Sequence, residues 1–117
     1  MRLNEVSYKD ALPIDGSGPG FFRMGGEVRR GGLVVLPSGA ATWTGYEDSA
    51  ALLAAAEAID VLLVGTGADI ARIPADFREA LESAGIGVEV MASPQACRSY
   101  NVLLGEGRRV ALAALPV

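Results

Sequence analysis

The stretch SPQACRSYN, residues 93–101, gathers two serines, the single cysteine, an arginine, a tyrosine and an asparagine within nine positions. These side chains suggest particular chemistries. The Cys97 thiol becomes a nucleophile when ionised, and a helix amino terminus together with Arg98 would lower its pKa. Ser93, at the start of a helix whose first N–H groups are free, would sit where an anion is held. Arg98 and Asn101 would orient such a ligand, although Arg98 lies a turn inside the helix and reaches it only from the flank. A second stretch, GTG at Gly65, Thr66 and Gly67, offers a hydroxyl and backbone donors directly after the apolar run VLLV. GTGADI begins like a dinucleotide fingerprint but has Ile70 where a third glycine or alanine belongs. The acidic residue downstream, Glu89, falls inside a strand rather than at its end. The sequence contains no GxxxxGK[ST] phosphate loop.

One absence limits the chemistry more than any motif extends it. The chain has no histidine, which removes Ser-His-Asp and Cys-His catalysis, imidazole acid–base chemistry and the commonest metal ligand. With one cysteine besides, a structural zinc site is excluded. Cys97 lacks a histidine base, so a small buried apolar role is expected of it. The carboxylate pairs Glu47-Asp48 and Glu79/Glu82 read as helix caps and solvated faces. No cofactor and no metal is expected.

The elements that must position these residues follow from pattern. At 117 residues, 50% apolar and 21% charged, the chain reads as one soluble domain, residues 1–117. Its net charge of −4 is spread without a basic block, which argues against nucleic acid. The greasy region AALLAAAEAIDVLLVG is broken by Glu57 and Asp60, so no membrane insertion is expected. The opening MRLNEVSYKDALP lacks the apolar core of a secretory signal, and the expected location is the cytoplasm.

IDGSGPG, residues 14–20, predicts a loop, and GFFRMGGEVRRGG a hairpin that turns at Gly25-Gly26. LVVLPSG predicts a buried strand ended by Pro37 and Gly39, and ATWTG a further short extended piece. Phe21, Phe22 and Trp43 read as core or half-buried strand residues. Asp48 is placed to cap a helix through SAALLAAAEAI. VLLV reads as a strand covered on both faces. Pro74 opens a helix whose Phe77, Ala80, Leu81 and Ala84 form one stripe, ended by Gly85. GVEVM is the next strand. Ser93 as N-cap and Pro94 as first helical residue start the third helix, which Gly105 or Gly107 ends. Its Ala96, Cys97, Tyr100, Leu103 and Leu104 face inward, with Arg98 and Asn101 along the border and Val102 opposite. RRVALAAL is the last strand. Such alternation of strands and helices predicts an α/β layer with a parallel crossover. If VLLV and GVEVM are parallel neighbours, GTG and MASP emerge at the same sheet edge, where ligands of open α/β sheets bind.

FRMGGEVRRGGLVVLP, LLVGTG and the run from IPADFREALESAG through CRSYNVLLGEGRRVALAAL closely resemble a family of small α/β proteins. That family includes the mitochondrial respiratory complex I assembly factor three. The resemblance spans residues 4–115 and is most specific from Gly65 onward. It implies a three-layer fold, with a central mixed sheet flanked by helices and an additional amino-terminal β segment. It also implies a part in building respiratory complexes, with a respiratory-complex subunit or another protein as partner. It supplies no catalytic residue, cofactor or substrate. Two readings result. The first is a non-enzymatic interaction protein, for which an exposed apolar patch around Val102 would be the mark. The alternative is a small-ligand- or anion-binding protein, or a modest enzyme, using a cleft at Gly65, Thr66, Gly67 and Ser93 with Arg98 and Asn101.

Overall fold

The computed structural model of the chain describes residues 12–117; residues 1–11 of the opening stretch lie outside the described residues. The chain runs through β1 (Ile14–Gly18), β2 (Phe21–Met24), β3 (Glu27–Arg30), β4 (Leu33–Leu36) and β5 (Gly39–Thr42). It continues with α1 (Ala50–Ala54), a 3₁₀ turn (Ala56–Ala58), β6 (Val61–Gly65), α2 (Ala75–Ser83), β7 (Gly87–Met91), α3 (Ser93–Gly105) and β8 (Val110–Ala114). β1, β2 and β3 form an antiparallel sheet in that order, and the other strands form a mixed sheet in the order β5-β4-β8-β6-β7.

β6 is parallel to both β7 and β8, while β8 meets β4 antiparallel. The last strand in sequence therefore lies at the centre of the sheet. All five of its residues are buried, and the two-residue period divides them between two cores. Val110, Leu112 and Ala114 join α3 and the small sheet through Ala96, Cys97, Tyr100, Ile14, Phe22 and Met24. Ala111 and Ala113 face α1 and α2, with Leu52, Phe77 and Leu81. The expected three layers, the mixed sheet and the additional amino-terminal β segment are all present.

The Gly25-Gly26 hairpin forms as expected, with φ of +56° and +82°; a two-residue turn with both central residues at positive φ matches strand twist. Phe22 and Trp43 are core residues and Phe21 is half-buried. Several expectations need correction. IDGSGPG is not a loop, because residues 14–18 pair with β2 across an irregular register at Asp15. The second helix stripe is narrower than its spacing implied, since Phe77 and Leu81 are buried while Ala80 and Ala84 are exposed.

Asp48 does not cap α1; Ser49 stands at that position, with no side-chain cap. Asp48 instead closes the preceding loop. Its carbonyl accepts from Trp43 Nε1 at 2.9 Å, and its carboxylate accepts from Thr44 Oγ1 at 3.3 Å. The alanine run then leaves the α-helix after Ala54 despite its high propensity. Arg109 Nη1 donates to the Glu57 carbonyl at 2.8 Å, and Nη2 to Asp60 Oδ1 at 2.8 Å. Ile59, meanwhile, is buried between them. These tertiary contacts turn the chain into β6.

Leu112 sits at the middle of the central strand with no exposed surface. Leu112→Ala is expected to cost about 2–5 kcal/mol, as cavity-forming core truncations do, read as a lowered midpoint in guanidinium denaturation.

Candidate functional site

The carboxyl ends of β6, β7 and β8 emerge together, and Gly65, Thr66, Gly67 and Ser93 do converge there. A Cβ on Gly65 would stand 2.6 Å from Ser93 Oγ and 2.8 Å from its Cα, so only glycine lets α3 begin against the sheet. Ser93 is 0% exposed. Its hydroxyl accepts from the Gly67 N–H at 2.8 Å and donates to the Leu115 carbonyl at 2.6 Å. Its own N–H donates to the Gly67 carbonyl at 2.8 Å, and the Leu115 N–H donates to the Gly65 carbonyl at 2.9 Å.

Ser93 is thus the first helical residue rather than the N-cap, which is Ala92. Its side chain leaves the helix to join two other segments. The first N–H groups of α3 are largely spoken for. The Ser93 N–H is taken, Pro94 has none, and the Ala96 N–H donates to the Ala92 carbonyl at 2.9 Å. Thr66 is used in the same way. Its N–H donates to the Met91 carbonyl at 3.0 Å, while Oγ1 donates to the Asp69 carbonyl at 2.7 Å and accepts from the Ala71 N–H at 3.0 Å. These four residues form a knot that ties strand ends together.

Arg98 and Asn101 do not belong to that knot. The Asn101 amide accepts from the Ile14 N–H at 2.8 Å and donates to the Ile14 carbonyl at 2.8 Å. This reciprocal pair imitates a neighbouring strand and holds β1 against α3. Arg98 is exposed and lines a groove of about 470 Å³ between α3 and β7, with Leu63, Met91, Val102 and Leu103, and Glu89 of β7 also lines it. Thr66, Ser93 and Asn101 do not line it.

Cys97 is 6% exposed. Burial pushes its thiol up to about 11, and the positive charge of Arg98 offsets only part of that shift. Desolvation therefore outweighs the guanidinium and the helix start. Tyr100 is likewise pushed up to about 12 by burial, with its hydroxyl 3.5 Å from the Leu12 carbonyl. Sequence reasoning passed over a second groove, of about 550 Å³, on the opposite face of β7. Ile70, Ile73 and Val90 line it with Arg72 and Arg78. The signal was the pair of isoleucines, Ile70 and Ile73, on either side of Arg72 in the segment between GTG and Pro74.

Together these features define a small three-layer α/β domain whose strand ends are stitched internally and whose grooves flank one edge of the sheet. The family of proteins of unknown function DUF498/DUF598 matches residues 14–115, and the chain belongs to it. It is 51% identical to an uncharacterised protein of Rhodobacter capsulatus across its whole length, covering 94% of that protein. It is 32% identical to human NADH dehydrogenase (ubiquinone) 1 alpha subcomplex assembly factor 3, over 99% of this chain and 67% of that protein. The crystal structure of an outer membrane protein from Bartonella henselae superposes with a TM-score of 0.84 at 37% identity, covering 91% of this chain and 95% of that one. The expected kinship to complex I assembly factors therefore holds. Among the described residues, no helix is long and apolar enough to cross a membrane.

The two border residues of α3 should separate under substitution. Asn101→Ala strands both backbone groups of Ile14 and is expected to cost about 1–3 kcal/mol. Arg98→Ala, at an exposed position, should stay within about 0.5 kcal/mol; chemical denaturation of both variants checks this. Cys97 yields a separate expectation. A thiol raised from its ordinary 9.0 to about 11 carries about a hundredfold less thiolate at pH 8. Alkylation by iodoacetamide should be slower by at least that factor in the native chain and normal in denaturant.

Proposed function

We propose that this chain is a non-enzymatic interaction protein that acts as an assembly factor, docking on a subunit of a respiratory complex while the complex is built. The observation that carries this reading is 32% identity to a complex I assembly factor over 99% of the chain. The candidate site supports it from another direction. The Ser93 hydroxyl, the Thr66 hydroxyl and the Asn101 amide, which a ligand would need, are engaged within the fold. What faces outward instead is apolar surface, with Ile70 66% and Val102 59% exposed. Each stands in its own groove beside β7, and apolar surface left open beside a groove is a usual mark of a protein partner. On this reading the domain works in the cytoplasm, uses no cofactor and does not bind nucleic acid.

The test is made in the organism that carries the protein. A tagged chain at native level, purified under mild detergent, should bring down a subunit of NADH dehydrogenase in near-equal amount. Deletion should slow the appearance of the assembled enzyme on native gels. Assembly at an unaltered rate in the deletion strain, with no such subunit recovered, would overturn the proposal.

A further inference from the structure

The sheet has two edges, β5 and β7, and β7 is the one flanked by grooves. In a parallel ladder, alternate residues of a strand turn both backbone groups toward the same neighbour. Gly87 N–H donates to the Asp60 carbonyl at 2.9 Å, and the Met91 carbonyl accepts from the Thr66 N–H at 3.0 Å. Gly87, Glu89 and Met91 therefore face β6, and Val88 and Val90 turn their backbone groups to the open edge. Arg78 Nη1 reaches the Val88 carbonyl at 3.4 Å, a long contact from a side chain that also pairs with Glu82 at 3.2 Å. The described residues supply no other partner to those outward groups.

The two most exposed large apolar side chains, Ile70 and Val102, stand on opposite faces of this edge, one in each groove. The groove on the α3 face has an apolar floor, with Arg98 and Glu89 balancing each other in charge. The groove on the α2 face is lined by Arg72 and Arg78 and by no acid. A strand laid along β7 would send alternate side chains into the two grooves.

A second copy of this chain fits poorly. Two antiparallel β7 strands in the fully paired register would match Val88 with the copy's Val90, leaving the two Glu89 carboxylates opposite each other on one face. Like charges directly opposed across strands are destabilising, and such a charge on an edge strand guards against self-pairing.

We infer that the β7 edge takes up an extended segment of a partner protein as an added strand, one in which apolar residues alternate with acidic ones. The apolar side chains lie over Leu63, Met91, Val102 and Leu103, and the acidic ones meet Arg72 and Arg78. The added strand replaces the Arg78 contact at the Val88 carbonyl with a backbone N–H, and the guanidinium, still beside Glu82, offers its other N–H groups to the acidic side chain. Backbone pairing supplies the affinity, and the alternating pockets supply the selectivity. The inference names the docking surface of the interaction role proposed above and rests on that role.

The probe is the acetylated, amidated peptide Ile-Glu-Ile-Glu-Ile, with Ile-Lys-Ile-Lys-Ile as control, titrated to millimolar concentration into the full chain and followed by amide hydrogen exchange. Exchange at Val88 and Val90 should slow at least tenfold with the acidic peptide, while Glu89 and Met91, already paired, change little. The lysine peptide should bind at least tenfold more weakly. Val90→Pro removes an outward N–H without touching the β6 ladder, a position where edge strands tolerate proline, and should abolish the protection. Arg72→Glu, at an exposed position, serves as the second variant and should reverse the preference between the peptides. Unchanged exchange at Val88 and Val90, equal binding of the two peptides, or protection that rises with protein concentration alone would overturn the inference. Carrying both variants through the co-purification separates it from the role. A subunit retained by both refutes this edge and leaves the role standing, whereas no subunit with the unaltered chain refutes the role.

Discussion

A single buried hydroxyl holds the carboxyl end of the central strands together. Ser93 is fully enclosed, and it joins the loop after β6 to the segment after β8 while starting the helix that covers both strands. An unsatisfied hydroxyl in that position would cost about 1–3 kcal/mol, so the contact is as much an obligation as a gain. It is possible only because Gly65 has no Cβ. The two residues depend on each other: the glycine admits the serine, and the serine then satisfies the backbone groups that such a close approach would bury.

The same economy appears at the other end of α3. β1 is a short strand of IDGSG, whose glycines and small polar residues bury little apolar area and would not hold it in place by themselves. Asn101 supplies what the sequence lacks by bonding both backbone groups of Ile14. The small sheet is thereby fastened to the helix, and the core of Ile14, Phe22 and Met24 can close over Tyr100 and Leu112. Ser93 and Asn101, polar side chains of α3 singled out in the sequence, form joints between layers. A joint of this kind is directional in a way apolar packing is not, and it fixes how the layers are aligned.

With those groups engaged internally, the outward character of the domain is set by its sheet edges and by apolar side chains on the rims. An edge strand offers unpaired backbone groups, and natural proteins usually blunt such edges. Here Glu89 and Arg78 temper the edge without covering it. The result is an edge on which two copies would oppose their Glu89 carboxylates, beside a groove lined by Arg72 and Arg78.

Much of the fold was legible in the sequence because its signals are local. The absence of histidine, the apolar runs VLLV and VALAA, the Gly25-Gly26 turn and the stops at Gly85 and Gly107 each act over a few residues. They were enough to identify most of the elements, though not β1, whose IDGSG reads locally as a loop, and the family resemblance placed them in three layers. The position of β8 between β4 and β6 was not legible, since strand order depends on pairings between residues far apart in the chain. Nor was the fate of the candidate site. Ser93 as a cap, Ser93 as a ligand and Ser93 as a cross-link all require the same residue next to Pro94. The choice lay with Gly67 and Leu115, which tertiary packing alone brings within hydrogen-bonding distance. Asn101 and Arg98, three residues apart on one helix, parted for the same reason. Sequence determined which groups were available and roughly which way they faced; only the packed structure decided which partners reached them first.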